Sequence, residues 1–148
     1  MRVLFTCGGT AGHVNPAVAL AQMFQTRNSG CEVLFVGADG GMETRLVPKE
    51  GYPIETVTIT NFHRSLAPAD IAHDFGTLMN MQKSKGQARR IVDDFKPDLV
   101  VGTGGYASFP VVKEAARREA EDQACRLRSQ AEERMTNAVE QAAGLLLS

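Results

Sequence analysis

Tryptophan is absent from this 148-residue chain, and its other scarcities are as informative. Cysteine occurs three times, as Cys7, Cys31 and Cys125, with no C-x-x-C pair and no even set to close into internal disulfides. That pattern predicts a reduced, cytoplasmic setting. No run approaches the roughly 20 apolar residues that a membrane-spanning helix requires. The opening Met1 to Cys7 is too brief an apolar stretch for a secretory signal, and Gly8-Gly9 interrupts it at once, so it reads as a strand. Charge is nearly balanced, 16 Lys+Arg against 17 Asp+Glu for a net of −1, which gives no support for binding nucleic acid over a broad surface. The hydrophobic fraction of 43% and charged fraction of 22% are those of a globular domain rather than a disordered chain.

What the chain does have is glycine, 14 of them, several placed at the ends of apolar runs. Arg2 to Thr6 stops at Gly8-Gly9, and an apolar-periodic stretch from Ala17 to Phe24 follows, with Pro16 where a first helical turn accepts proline. Glu32 to Val36 is a second strand ending in Gly37, Met42 to Glu50 a short helix stopped by Gly51, and Ile54 to Ile59 a third strand. Ala69 to Phe95 is a long helical region with potential breaks at Gly76 or Gly86. Pro97 closes it, and Asp98 to Val101 is a fourth strand running into Gly102-Thr103-Gly104-Gly105. Strand, glycine turn and helix in repetition predict an α/β fold with a Rossmann-like parallel sheet, whose ligands sit beyond the carboxyl ends of the strands.

Two glycine loops fall at such strand ends. The first is Gly8-Gly9-Thr10-Ala11-Gly12-His13, with Asn15 one turn on; the second is Gly102-Thr103-Gly104-Gly105-Tyr106. Glycine lets the backbone approach a ligand closely, and a helix N-terminus beyond it favours an anion such as phosphate. Thr10 stands where a G-x-G-x-x-G fingerprint needs its second glycine, and no Lys-Ser/Thr follows Gly12, so neither a dinucleotide fingerprint nor a P-loop is present. Each loop taken alone also reads as a plain strand-to-helix turn. Together, at the ends of adjoining strands, they form a cleft suited to a diphosphate.

Gly8-Gly9-Thr10-Ala11-Gly12-His13-Val14-Asn15-Pro16 and Gly102-Thr103-Gly104-Gly105-Tyr106, with Gly41-Met42-Glu43, Leu46-Val47-Pro48 and Lys96-Pro97-Asp98 in the same order, resemble the N-terminal half of the MurG family. Those enzymes transfer N-acetylglucosamine from UDP-GlcNAc to lipid I, making lipid II for peptidoglycan. The resemblance covers residues 1 to 118, departing from the usual first loop only in Ala11. It implies the acceptor half of an inverting GT-B glycosyltransferase, with no cofactor and no metal, working at the inner face of the bacterial plasma membrane. It further implies that the glycine loops hold the acceptor's diphosphate and that His13 takes the proton from the attacking hydroxyl, a task suited to an imidazole near neutral pH. A purely structural His13, capping the helix or bonding a phosphate, stays open.

Beyond residue 118 the resemblance ends, and no counterpart of the donor half follows. Residues 119–148 read as a charged helical tail with a narrow stripe through Ala120, Ala124, Leu127, Ala131, Met135, Ala138, Ala142 and Leu145. The chain alone is therefore expected to transfer no sugar, and to associate with itself through the tail or an open sheet edge. An alternative is a non-catalytic nucleotide- or diphosphate-binding Rossmann module carrying a helical interaction tail. Ile71, Phe75, Leu78 and Met79, followed by Lys83, Lys85, Arg89 and Arg90, form either a patch for an anionic membrane or an ordinary core stripe beside a solvated basic face. Arg64, in the loop after the third strand, is a further candidate contact to the acceptor.

Overall fold

The computed structural model describes the backbone of residues 1–59 and 68–146 and the side chains of residues 1–59 and 82–140. Four parallel strands, β1 (Arg2–Cys7), β2 (Glu32–Ala38), β3 (Ile54–Val57) and β4 (Leu99–Gly104), lie in the order β3-β2-β1-β4. They alternate with α1 (Ala11–Arg27), α2 (Glu43–Lys49), α3 (Pro68–Phe95) and α4 (Ser108–Leu146). Two compact units result, Met1–Ala115 and Ala116–Ser148.

A parallel strand flanked on both faces must be apolar on both, and β1 and β2 are. Val3, Phe5 and Cys7 of β1 and Val33 and Phe35 of β2 pack with Val14, Ala17, Val18 and Ala21 of α1 and Val47 of α2. Leu4, Leu34 and Val36 point the other way, onto Ala88, Ile91 and Val92 of α3 and Ala107 and Val111 at the start of α4. Phe5 is fully buried, with its ring stacked 5.3 Å from Phe35 and edge-on to Phe24 at 6.1 Å. β4 joins this sheet late in the chain, and its start is fixed by Asp98: its amide donates to the Arg2 carbonyl at 2.8 Å, and its carboxylate accepts from the Arg2 N–H at 2.7 Å.

Several boundaries differ from the sequence reading, among them the end of β2, which runs on through Gly37 to Ala38. α1 starts at Ala11, so Gly12 and His13 belong to its first turn and Pro16 lies inside it. The helix tolerates that proline because only one ladder bond is lost, to the carbonyl of Gly12, which is exposed to water. α3 runs unbroken past Gly76 and Gly86, ending where Lys96 takes a positive φ of 47° ahead of Pro97. β3 stops at Val57, two residues early. β4 extends through Gly102 and Thr103 to Gly104, pairing with β1 across an irregularity between Thr6 and Cys7. The front of the second glycine loop is thus strand, and the sharp turn is confined to Gly104 and Gly105.

In the second unit the remainder of α4 carries i,i+4 ion pairs such as Arg117–Glu121 and Arg118–Asp122, and leaves Leu127, Met135 and Val139 about two-thirds exposed. Among the described residues no helix is long and apolar enough to cross a membrane.

Burial, and secondarily the neighbouring Glu43 carboxylate, push the Cys7 thiol from its ordinary 9.0 up to about 12. The fold therefore holds the proton of Cys7 more tightly than the unfolded chain does. Its contribution to stability is complete below about pH 9 and is lost as pH rises toward 12. Alkylation at pH 8 should label Cys125, which is exposed, and reach the buried Cys7 and Cys31 only after denaturant is added. Phe5→Ala should lower stability by about 3–5 kcal/mol in urea unfolding, the cost of emptying a fully buried aromatic site.

Candidate functional site

The carboxyl ends of β1 and β4 lie side by side, and both chains turn there into helices. That places the positive ends of two helix dipoles, at Ala11 and Ser108, along one edge of the sheet. The two turns touch through backbone. A Cβ on Gly105 would stand 2.3 Å from the Gly8 carbonyl oxygen and 2.9 Å from the Gly8 nitrogen, so any side chain there would force the loops apart. Gly105 has φ +92° and Gly104 φ +119°, conformations that L side chains rarely adopt.

Side-chain hydroxyls complete the junction. Thr103 Oγ1 donates to the His13 carbonyl at 2.7 Å. Ser108 Oγ lies 2.8 Å from the Gly104 carbonyl and 3.1 Å from that of Thr6, a single hydroxyl addressing both β1 and the β4 turn. His13 sits in the gap so formed. Its Nδ1 is 2.8 Å from the Gly8 carbonyl oxygen, which can only accept, so in the neutral ring Nδ1 carries the proton and Nε2 is left as a bare acceptor. The Nε2 edge lies against Gly104, where a Cβ would come within 3.0 Å of it. An imidazole in that tautomer is equipped to accept a proton from a hydroxyl at Nε2.

The rest of the first loop divides in two. Gly8 is buried, and the Gly9 N–H points to the Glu43 carboxylate at 3.3 Å, so that amide is already engaged. Ala11 and Gly12, the first residues of α1, are exposed, and as first-turn residues their N–H groups have no partner four residues back. A Cβ on Gly12 would meet nothing closer than Thr10 Oγ1 at 3.5 Å, so packing within the chain does not demand glycine there. Thr10 and Asn15 are exposed, and Tyr106 stands 74% exposed beside the second turn. Ala11, Gly12, His13, Gly104, Gly105 and Tyr106 are thus at one edge, as the sequence reading expects, whereas Gly102 and Thr103 serve as strand. Lys83 and Lys85 are exposed on α3, and the side chains of Ile71, Phe75, Leu78 and Met79, like Arg64, lie outside the described residues.

Glu43 is named in the sequence reading only as part of the family resemblance and is given no role there. It is fully buried on α2, with its carboxylate accepting from the Ala38 N–H at 2.7 Å as well as from Gly9. Gly8, Gly37 and Gly41 enclose it: a Cβ on any of them would fall 2.3–2.7 Å from its atoms. Gly37 lies in β2 and Gly41 in the turn before α2, neither with a positive φ to require glycine.

Residues 3–121 match the glycosyltransferase family 28 N-terminal domain. The chain belongs to this family. Over 118 residues the family-28 domain is 41% identical to the UDP-N-acetylglucosamine--N-acetylmuramyl-(pentapeptide) pyrophosphoryl-undecaprenol N-acetylglucosamine transferase of Ruminiclostridium cellulolyticum, covering 80% of this chain and 31% of that protein. With the enzyme of the same name from Halothermothrix orenii it shares 43% over 116 residues, 78% of this chain and 30% of the relative. In three dimensions it is similar to the crystal structure of Acinetobacter baumannii MurG, with a TM-score of 0.62 and 31% identity over 78% of this chain and 31% of that one. The family-28 domain therefore spans a little under one third of these relatives, and its fold is the Rossmann-like N-terminal half of a GT-B glycosyltransferase.

Two substitutions separate the kinds of glycine. Gly105→Ala adds a backbone clash to an unfavourable φ, and should cost roughly 2–4 kcal/mol in denaturant unfolding. Gly9→Ala meets open space at φ +85° and should cost only about 1–2 kcal/mol. Gly104→Val is no clean probe of ligand binding, since its side chain would collide with His13.

Proposed function

We propose that this chain is the acceptor-binding half of an N-acetylglucosaminyltransferase acting on lipid I to give lipid II, with UDP-GlcNAc as donor. The observation that carries the reading is His13, whose Nδ1 lies 2.8 Å from the Gly8 carbonyl oxygen and whose Nε2 edge is turned to the junction of two glycine turns. The names of the curated relatives supply the substrates. The exposed first-turn amides of Ala11 and Gly12, with the start of α4 beside Tyr106, receive the acceptor diphosphate, favoured by both helix dipoles. His13 Nε2 takes the proton from the muramyl 4-hydroxyl as that oxygen attacks the anomeric carbon of GlcNAc. UDP leaves from the opposite side, so configuration inverts and no covalent intermediate forms. The donor is held by a second domain, because a single displacement needs both substrates aligned. Lys83 and Lys85, exposed on α3, belong to a basic surface facing the anionic inner leaflet of the plasma membrane.

A second reading draws on the tail. Leu127, Met135 and Val139, about two-thirds exposed along one helix, favour a diphosphate-binding module that associates through α4. It predicts self-association that disappears on truncation after Arg118.

Transfer of radiolabelled GlcNAc to lipid I, by the chain alone and mixed with a separately expressed donor domain of the family, tests the first reading. No transfer is expected alone, and transfer is expected on mixing. His13→Ala should then lower turnover by roughly 10²–10⁴-fold. Unchanged turnover with weakened acceptor affinity would make His13 a binding residue. Robust transfer by the chain alone would overturn the assignment of a half-enzyme.

A further inference from the structure

We propose that Glu43 is a positioning residue for His13, acting through the single peptide group that joins Gly8 to Gly9. The proposal rests on the reading of His13 as the base and adds the partner that orients it. The carbonyl of that peptide group accepts from His13 Nδ1 at 2.8 Å, and its N–H, on the opposite side, faces Glu43 Oε2 at 3.3 Å. The carboxylate and the imidazole thus address the two ends of one amide. A negative charge at the N–H end draws electron density toward the carbonyl oxygen and strengthens it as an acceptor. That favours the Nδ1–H form of His13 and leaves the Nε2 lone pair for substrate. The arrangement does what a carboxylate in direct contact with a catalytic histidine does, with a peptide group between them.

The site is built for this carboxylate. Glu43 is fully buried, and its partners among the described residues are backbone amides: the Ala38 N–H at 2.7 Å holds Oε1, so Oε2 is directed at Gly9. Gly8, Gly37 and Gly41 leave it room that no other residue type would leave. Gly105 presses on Gly8 from the second loop, so the amide between the two side chains has little freedom to rotate. The Cys7 thiol also feels the carboxylate, and it remains neutral throughout the physiological range.

The isosteric change Glu43→Gln tests this, because a side-chain amide has one acceptor where the carboxylate has two. Its oxygen can keep the shorter bond to Ala38, and its NH₂ then meets the Gly9 N–H donor to donor. In the full chain at about pH 8.5, two units above the ordinary imidazole value, ring ¹H–¹⁵N spectra report the His13 tautomer. The unsubstituted chain should show Nδ1–H, and Glu43→Gln should move the tautomer ratio toward Nε2–H by about fivefold or more, the scale of one hydrogen bond. The Gly9 amide proton should move upfield while that of Ala38 stays. A folded Glu43→Gln chain with an unchanged His13 tautomer overturns the proposal and leaves Glu43 a packing residue. Should that variant not fold, the unsubstituted chain decides. A coupling across the hydrogen bond between the Gly9 nitrogen and the Glu43 carboxyl carbon, with the Nδ1 proton observed, supports the link, and finding the Nε2–H form overturns it. Transfer measurements on His13→Ala report separately on the base, so either idea can fail while the other stands.

Discussion

Backbone meeting backbone at Gly8 and Gly105 is the contact on which the site depends. Strands β1 and β4 are neighbours, and their exits would diverge around any side chain placed between them. With neither residue carrying one, the two turns close to a separation that only main-chain atoms permit. Everything of chemical interest is arranged about that contact. His13 reaches back to the Gly8 carbonyl, Thr103 and Ser108 tie the turns to each other and to β1, and two helices begin within a residue or a few of the junction. A Rossmann-like sheet supplies such an edge by construction, since parallel strands all end on the same side.

Beneath that junction lies a buried acid. Taking a carboxylate fully out of water is costly unless its lone pairs are met. Glu43 meets them with the amides that follow β1 and end β2, which ties the first glycine turn to the neighbouring strand and to α2 at once. The same charge adds to burial in keeping Cys7 protonated, so the one cysteine near the site is held inert.

The parallel sheet was legible because β1 and β2 are apolar on both faces and β1, β2 and β4 end in or near glycine. The paired loops were legible for the same reason, whereas His13 was singled out by the family resemblance. The start of α1 was not legible: Pro16 is a strong marker of a first turn, yet the helix begins at Ala11, five residues before it, with Thr10 as its extended cap. Gly76 and Gly86 look like breaks, yet α3 continues through both, since glycine weakens a helix without removing a hydrogen bond. Glu43 stood in a quoted motif without a role, because one glutamate in a seven-residue helix has no periodicity to mark it as buried. Only the three-dimensional convergence of Gly8, Gly37 and Gly41 shows that the chain makes space for it.

The strand order also has a consequence for how the molecule comes together. β1, β2 and β3 are neighbours in sequence as well as in space, and their pairings close loops of modest length. β4 must return across some ninety residues to reach β1, as the Leu99–Val3 pairing shows. The entropy of closing so long a loop is met only once the first three strands offer a surface to join. During synthesis those strands are complete well before β4 leaves the ribosome. The gap that holds His13 closes only when β4 has paired, and any intermediate lacking β4 has His13 without the second turn that defines its surroundings.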